Sequence, residues 1–263
     1  MTAETFQLEL AAAEAYEERF VPAIFAEWAQ LLVAEAGVAP GQRILDVACG
    51  TGIAARRAAE IAGASAVTGV DINDAMLTVA ARIRPDITWL RGDAAALPLP
   101  DAQFDTVLCQ MALMFFPDAA SALREMGRVA AVGGTIAAAV PGRLEDQLAY
   151  GPFVELVARH SGPEAMSLLS VYWACGDPER LRQIFADAGL AVTAIRTRVG
   201  TARYASADDF VVGEVESTPL MERLTQEQYA QVRHGANAVL QPFTHKDGSV
   251  AAPLHGLVIV ARR

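Results

Sequence analysis

Residues 44–52 read Ile-Leu-Asp-Val-Ala-Cys-Gly-Thr-Gly, an apolar run that contains one aspartate and ends in two glycines. Glycines at such a point let the chain turn sharply and let a ligand approach the main chain, while a following helix presents free N–H groups. Residues 50–55 also satisfy the pattern G-x-G-x-x-A, which is common in dinucleotide-binding turns. The segment therefore predicts a strand, a glycine turn and a helix that bind a nucleotide-containing ligand.

Short apolar runs alternate with helical patterns downstream of this turn. Alternation of helices with strands that are apolar throughout is typical of a parallel, doubly wound α/β sheet. The predicted strands are 43–47, 66–71, 87–91, 104–110 and 135–140, and the predicted helices between them are 52–62, 74–84 and 117–130.

The two ends of the chain show a looser pattern. Apolar stripes predict two helices in residues 1–36, with Pro22 in the first turn of the second helix. After residue 142 we expect helices at 147–160 and 178–188, strands at 190–199 and 254–262, and helical stretches at 207–215 and 226–240. We therefore predict one domain over 1–263, with an N-terminal helical lid at 1–36, a ligand-binding core at 43–142 and an insertion at 200–252 on the substrate side.

The charge balance argues against a nucleic acid as the main partner. The 263 residues include 21 Lys and Arg against 31 Asp and Glu, for a net charge of −10, whereas nucleic-acid binding depends on clustered basic residues. No apolar stretch reaches the roughly 18 residues of a membrane span, and acidic residues stand where a secretory signal needs basic ones. Three cysteines without metal-ligand spacing fit a reducing compartment, so we expect a cytoplasmic protein without a metal site.

Four polar residues end the predicted strands: Asp46, Asp71, Asp93 and Gln110. In open α/β sheets, ligands bind at the carboxyl ends of the strands. Asp46 would face a pyrophosphate with like charge, but it suits an ammonium or sulfonium group. Asp71 can accept both hydroxyls of an adenosine ribose, and Asp93 can accept from an adenine amine. The pattern points to S-adenosyl-L-methionine.

These residues also carry a family resemblance. The chain resembles the class I S-adenosylmethionine-dependent methyltransferases, in the small-molecule branch related to ubiquinone and menaquinone biosynthesis. The resemblance implies a Rossmann-like seven-stranded sheet of order 3-2-1-4-5-7-6 with an antiparallel last strand, and S-adenosyl-L-homocysteine as the product. The motifs that carry it are DVACGTG at 46–52, GVDI at 69–72, GDAAALPL at 92–99, FDTV at 104–107 and LREMGRV at 123–129.

The resemblance also assigns roles to individual positions. It implies that Gly50 and Gly52 pack on the cofactor, that Asp71 holds the ribose, and that Asp93 with Ala94 borders the adenine. The predicted cofactor contacts are Asp46, Ala48, Cys49, Gly50, Thr51, Gly52, Asp71, Ile72, Met76, Asp93, Ala94 and Gln110.

Aromatic and sulfur-containing side chains are the candidates for acceptor binding. The resemblance implies an N-terminal aromatic residue that closes over the methionine end, and Tyr16 or Phe20 matches it. The other candidates follow Gln110 or lie in the looser half of the chain, where plain core packing is the alternative. They are Met111, Phe115, Tyr172 and Trp173.

Methyl transfer from a sulfonium group is an in-line displacement that positioning and exclusion of water can accelerate without a base. If a base is used, the candidates are His160, His245 and Tyr16. The sequence thus predicts methyl transfer to a small lipophilic or aromatic acceptor. One alternative is a protein that binds S-adenosylmethionine without transferring its methyl group. The other is a nicotinamide-dependent oxidoreductase, against which Asp46 and the lack of a Tyr-x-x-x-Lys pair argue. Neither the acceptor atom nor an oligomeric state follows from the sequence.

Overall fold

The computed structural model describes residues 8–162, 169–216, 221 and 224–263, except the side chain of Glu216. Its sheet has seven strands in the order β3-β2-β1-β4-β5-β7-β6. The order and the antiparallel orientation of β7 confirm what the resemblance implied. The strands are β1 Ile44–Val47, β2 Val67–Asp71, β3 Thr88–Arg91, β4 Phe104–Gln110, β5 Ala130–Pro141, β6 Ala191–Tyr204 and β7 Val250–Arg262.

Strand β1 lies at the centre of the parallel part of the sheet, and all four of its residues are buried. Asp46 is level with Gly69 on β2 and with Leu108 on β4. Parallel neighbours in this register bring the carboxyl ends of β1, β2 and β4 to one edge of the sheet. The alternation of side chains places Leu45 and Val47 in one core and Ile44 in the other, so Asp46 points to the face of Ile44.

Seven helices among the described residues outside the N-terminal region pack around the sheet. Of those that follow β5, three join the same core as Ile44, through Phe153, Phe210 and Val232, whereas Pro178–Asp187 joins the core of Leu45 through Leu181 and Phe185. These helices are α3 Ile53–Ala62, α4 Asp74–Ile83, α5 Ala119–Val129, α6 Tyr150–Ser161, α7 Pro178–Asp187, α8 Ala207–Val211 and α9 Gln226–Leu240.

The prediction of two separate N-terminal helices was wrong. Helix α1 Leu10–Ala15 continues through a π-helical segment, Tyr16–Phe25, into α2 Ala26–Ala36 without a break. Pro22 therefore lies inside a helix and not in a first turn. A proline has no N–H to donate, and the wider turns of a π-helix use bonds between residues five apart, such as Ala26 N–H to Val21 O. Phe6, which contributed to the predicted first stripe, lies outside the described residues.

The predicted bounds of the insertion were also wrong. Strands β6 and β7 remain paired up to Tyr204 and Val250, so both strands extend into the region that we assigned to 200–252. Pairing persists because the long hairpin supplies its own hydrogen-bond partners at every step. The segment between the strands is therefore 205–249, and it contains α8 and α9. No helix among the described residues is long and apolar enough to cross a membrane.

Trp28 of α2 is almost completely buried against the hairpin. A Cβ atom added at Gly200 would lie 2.7 Å from Trp28 Nε1, and one added at Gly256 would overlap the indole ring. The two glycines, on neighbouring strands, thus leave the space that the indole fills. This contact fixes the N-terminal helix to the sheet.

We expect Gly256→Ala to lower the free energy of unfolding by about 1–3 kcal/mol, because overpacking a filled core forces neighbouring atoms apart. Chemical denaturation of the purified protein measures the change. The matched background is Trp28→Phe, which removes the overlapping ring atoms. In the Trp28→Phe protein, Gly256→Ala should lower the free energy of unfolding by at least about 1 kcal/mol less than it does in the wild type, because the effects of residues in contact are not additive. Strictly additive effects would contradict the contact.

Candidate active site at the strand ends

The glycine turn after β1 has an unusual backbone. Ala48, Gly50 and Gly52 all have positive φ angles, of 54°, 55° and 85°. A positive φ is unfavourable for alanine, so the surrounding structure must hold Ala48 in place. Two backbone bonds do so, from Cys49 N to Val70 O at 3.0 Å and from Gly52 N to Cys49 O at 2.8 Å. The turn is therefore fastened to β2.

The side chain of Asp71, at the end of β2, also holds the turn in place through a hydrogen bond. Its Oδ2 accepts from Gly50 N at 2.7 Å and its Oδ1 accepts from Asn73 N at 2.9 Å. Asn73, and not Asp71, is the N-cap of α4, since its Oδ1 accepts from the N–H groups of Ala75 and Met76. Burial raises the pKa of Asp71, although its N–H partners oppose the rise. Each carboxylate oxygen keeps a second lone pair for a ligand hydroxyl.

Asp46 is only 1% exposed, and its two carboxylate oxygens have different surroundings. Oδ2 accepts from Ala55 N, in the first turn of α3, at 2.8 Å, while Oδ1 is buried without a hydrogen-bond partner. Asp46 therefore caps α3 with one oxygen, a role that does not use the other. Burial, with a smaller contribution from the charge of Asp71, raises the pKa of Asp46 to about 7.

Two further oxygen atoms at this edge are buried without a partner: Thr51 Oγ1 and Gln110 Oε1. The amide nitrogen of Gln110 donates to Phe25 O at 3.1 Å and so ties β4 to the N-terminal helix. Buried polar atoms in native proteins nearly always have partners. With Asp46 Oδ1, three buried oxygens at this edge have no partner among the described residues, and their contact with the ammonium end of S-adenosylmethionine stays a prediction.

Tyr16 lies against the glycine turn. A Cβ atom added at Gly50 would be 3.9 Å from the Tyr16 hydroxyl oxygen, and the Tyr16 ring stacks on Phe25 with centroids 5.2 Å apart. Burial and then the charges of Asp71 and Asp46, among others, raise the pKa of Tyr16 well above its usual range. The phenol therefore keeps its proton, which argues against Tyr16 as a general base. Closure of Tyr16 over the methionine end of the cofactor stays a prediction.

Gly52 packs against another part of the protein, the side chain of Trp89. A Cβ atom at Gly52 or at Gly69 would overlap the indole ring of Trp89, whose Nε1 donates to Arg84 O at 2.9 Å. The indole thus supports the turn from behind, and both glycines are required by this packing. Sequence reasoning did not select Trp89, because a tryptophan in a short strand carries no signal beyond core packing.

The predicted adenine side is more open than the turn. Ile72, directly after Asp71, is 36% exposed, and Asp93 is exposed with its Oδ1 accepting from Ala95 N at 2.8 Å. Ala94, next to Asp93, is partly buried. Met76 is different, because it packs with Ala13 in a small core beside Tyr16.

A second group of aromatic residues adjoins this edge, and we call it the aromatic cluster: Phe115, Tyr150, Tyr172, Trp173, Tyr204 and Phe210. Its rings are in contact in pairs, with Phe115 on Tyr172, Tyr150 on Trp173 and on Phe210, and Tyr204 on Phe210, at centroid distances of 5.1 to 5.5 Å. Edge-to-face and tilted pairs of this kind are favourable. The predicted acceptor residues Phe115, Tyr172 and Trp173 are thus brought together.

The aromatic cluster surrounds one carboxylate, that of Glu214. Its Oε1 accepts from Tyr204 Oη at 2.7 Å and from Tyr150 Oη at 3.1 Å. The cluster reaches the glycine turn through Phe20, because a Cβ atom at Gly213 would be 3.4 Å from Phe20 and Phe20 packs on Tyr16 at 5.9 Å. Sequence reasoning missed Tyr150, Tyr204 and Glu214, which no spacing pattern connects.

Other candidate residues lie elsewhere or are inert. His160 is ten residues along α6 from Tyr150, about 15 Å by helix geometry, and His245 is exposed in the turn before β7. Met111, directly after Gln110, is buried with a φ of 50°. The three cysteines are buried and free, and burial raises their pKa values, which makes them poor nucleophiles. In the part of the chain that the structure describes, no three His, Cys, Asp or Glu residues form a potential metal site.

Comparison with known proteins assigns the family. The methyltransferase-domain family matches residues 45–138. A demethylmenaquinone methyltransferase from Renibacterium salmoninarum is 34% identical over 206 residues, which are 73% of this chain and 84% of that protein. The YcgJ protein of Bacillus subtilis has a TM-score of 0.60 at 20% identity and covers 89% of this chain and 97% of its own. Phosphoethanolamine N-methyltransferase 2 of Haemonchus contortus, solved with phosphomonomethylethanolamine and S-adenosylhomocysteine, has a TM-score of 0.60 at 19% identity, over 98% of this chain and 58% of its own.

The sheet order, the glycine turn with its acidic residues and these matches have one explanation. The chain belongs to the class I S-adenosylmethionine-dependent methyltransferases. It is therefore a methyltransferase, its methyl donor is S-adenosylmethionine, and a demethylmenaquinone methyltransferase is among its relatives. The family, fold and cofactor predicted from the sequence are confirmed. The individual contacts with the cofactor stay predictions.

We expect Asp71→Asn to weaken binding of S-adenosylhomocysteine about 10- to 100-fold. The amide NH₂ cannot accept from an N–H group, and a charge-assisted hydrogen bond contributes about 1.5–3 kcal/mol. Isothermal titration calorimetry measures the affinity. Asp74→Asn is the control, because it removes the same charge at an exposed site. The Asp74 carboxylate there pairs with Arg91 at 3.2 Å. Equal affinities of the two variants would contradict a role for Asp71 in the site.

Asp46 should make the free energy of unfolding depend on pH. A carboxyl group whose pKa is raised by folding binds more protons in the native state, so its contribution to stability falls as pH rises from about 4 to about 7. Asp46→Asn keeps an acceptor for the Ala55 N–H and removes this dependence. As the pH rises from about 4 to about 7, we expect the variant to gain stability relative to the wild type, by about 1.4 kcal/mol for each unit of pKa shift. Thermal unfolding across this range tests it, and parallel curves for the two proteins would refute it.

Proposed function

We propose that this methyltransferase acts on a small, lipophilic or aromatic acceptor bound in the aromatic cluster. The observation that carries the proposal is the continuity of two surfaces. The unpartnered oxygens of Asp46, Thr51 and Gln110 lie at the edge where Tyr16 packs on the glycine turn. Tyr16 contacts Phe20, and Phe20 lies close to Gly213, beside Glu214 in the aromatic cluster. A ligand bound at the strand ends would thus lie beside a group of rings that suits contact with an aromatic molecule. The relative named demethylmenaquinone methyltransferase supports an aromatic acceptor.

The residues at the strand ends would divide the cofactor among them. Asp71 suits the ribose hydroxyls, because each of its oxygens has a free lone pair. The exposed side chain of Ile72 suits the flat face of the adenine, with Asp93 at its edge. The unpartnered oxygens of Asp46, Thr51 and Gln110 suit the ammonium group. When bound, S-adenosylmethionine supplies a methyl group on a positively charged sulfur.

The chain's own contribution would be positioning and exclusion of water. Tyr16 covers the glycine turn, and the Glu17 carboxylate holds this part of the helix on α3 through Arg56, at 2.8 and 3.1 Å. Segment 205–249 supplies Phe210 and Glu214 on the opposite side of the pocket. Alignment of the acceptor with the methyl–sulfur bond between these walls favours in-line displacement.

A turnover assay tests the proposal. The purified protein is incubated with S-adenosylmethionine and with phenols, hydroquinones, alkylamines or no acceptor, and S-adenosylhomocysteine is measured by liquid chromatography. We expect formation above the acceptor-free rate with aromatic acceptors, and Asp71→Asn should reduce kcat/KM at least tenfold.

Binding of S-adenosylhomocysteine without turnover of any acceptor would instead favour a binding protein that does not transfer the methyl group. Turnover of alkylamines alone would overturn the choice of acceptor class. Titration with NADH in the same calorimeter covers the oxidoreductase alternative.

A further inference from the structure

Glu214 lies in a π-helical segment, Val212–Glu216, that follows α8 directly. Both of its hydrogen bonds to protein come from phenol groups and both end on Oε1. Oε2 accepts no hydrogen bond from the described residues and is not among the fully buried atoms without partners. This oxygen is therefore not completely enclosed by the described residues.

Among the described residues, no cationic side chain forms an ion pair with Glu214. Placing a carboxylate among aromatic rings without a cation is costly. Two phenol donors offset part of that cost. A carboxylate held in this way, with one oxygen left open, is suited to a ligand that brings a further donor.

The Glu214 carboxylate lies near residues that lead towards the cofactor edge. Tyr172 is near enough for the charge of Glu214 to help burial raise its pKa to about 12, and Tyr172 packs edge-on against Phe115 at 5.3 Å. Phe115 follows Gln110, the residue that ends β4, by five positions. On the other side, Gly213 brings the segment against Phe20. Glu214 thus lies between the predicted acceptor residues and the N-terminal helix.

We propose that Glu214 binds a hydroxyl group of an aromatic acceptor, a phenol or a hydroquinone, through Oε2 and takes its proton during methyl transfer. This inference rests on the proposed function and names the acceptor class for that site. Two tyrosine phenols already donate to the same carboxylate, so a third phenol would make a contact of a kind that the pocket already contains. An alkylammonium ion fits less well, because a carboxylate stabilises the protonated form, which has no lone pair to accept a methyl group.

The step balances without a further reactant. The acceptor O–H bond breaks, and its proton passes to Glu214 and then to water. The electron pair on oxygen forms the bond to the methyl carbon, while the carbon–sulfur bond breaks and its electrons return to sulfur as a neutral thioether. If a ring carbon next to the hydroxyl receives the methyl group, that carbon loses its own proton to water and Glu214 returns its proton to the oxygen.

The ionisation of Glu214 is set by groups on three elements: Tyr150 on α6, Tyr204 on β6 and Tyr172 in the 3-10 turn Val171–Trp173. Burial raises the pKa of Glu214, and the hydrogen bonds from Tyr204 and Tyr150 lower it again, with a net rise. A weaker acid has a stronger conjugate base, which suits removal of a phenol proton. Protonation of Glu214 at low pH should abolish the binding of the hydroxyl.

A set of three naphthalenes tests the proposal. 2-Naphthol can donate a hydrogen bond, 2-methoxynaphthalene cannot, and 2-(aminomethyl)naphthalene is a cation. Each is titrated by calorimetry into the protein saturated with S-adenosylhomocysteine. We expect 2-naphthol to bind at least tenfold more tightly than its ether, and Glu214→Gln to reduce this ratio below threefold, because a neutral amide forms a weaker hydrogen bond. Glu227→Gln, the same substitution at an exposed position of α9, should leave the ratio unchanged.

A second variant keeps the test decisive if Glu214→Gln does not fold. Tyr204→Phe removes the donor at 2.7 Å, so the pKa of Glu214 should rise and the preference for 2-naphthol should be lost at a higher pH than in the wild type. Equal binding of 2-naphthol and its ether, or tightest binding of the amine, would overturn the proposal. If the wild-type protein does not bind S-adenosylhomocysteine, the proposed function is overturned instead. Failure of the Glu214 proposal and failure of the proposed function therefore give different results.

Discussion

The hydrogen bond from Gly50 N–H to Asp71 Oδ2 is the contact on which the geometry of the site depends. It joins the turn after β1 to the end of β2, two strands that are already paired in register. The other oxygen of Asp71 orients Asn73, and Asn73 in turn begins α4. One carboxylate therefore sets the positions of the glycine turn and of a helix start. A turn that contains three positive φ angles would otherwise have many conformations to choose from.

The electrostatics of this edge are unusual for a buried region. The charge of Asp71 helps burial raise the pKa of Asp46, and the charges of both residues oppose ionisation of Tyr16. The compensation comes from main-chain N–H groups, above all at the start of α3, where the helix dipole also favours negative charge. These N–H groups are fixed by the fold and cannot follow a change in charge. A ligand that carries positive charge at one end therefore improves a balance that the protein alone leaves incomplete.

Much of the parallel core could be predicted from the sequence because its local signals agree. Strands β1, β2 and β4 are largely apolar, and each has a polar residue at or next to its carboxyl end, so the amino-acid pattern alone selects Asp46, Asp71 and Gln110. The N-terminal region was misread because Pro22 usually starts a helix, and only the wider π-helical turns let it lie inside one. The insertion bounds were wrong for a different reason. Strands β6 and β7 continue past Gly200 and Pro253, and glycine and proline usually weaken or end a strand.

The environment of Glu214 shows the limit of sequence reasoning most clearly. Tyr150 and Glu214 are separated by 64 positions, and they meet only because α6 and the segment after α8 pack on the same face of the sheet. Neither residue has a neighbour in the sequence that marks its role. A contact of this kind depends on the tertiary packing of several elements. It becomes visible only when the fold is known.

The position of β7 has a consequence for the order in which the molecule can be assembled. It lies between β5 and β6 but follows both along the chain, and it provides Gly256, on which the indole of Trp28 rests. While the chain is being synthesised, β5 has an unpaired edge and Trp28 lacks half of its enclosure until the residues of β7 have left the ribosome. Unpaired strand edges and exposed indoles are the features that chaperones bind and that lead to aggregation. The sheet is thus closed by the strand that is made after all its other strands, and its completion joins β7 to a helix that precedes β1.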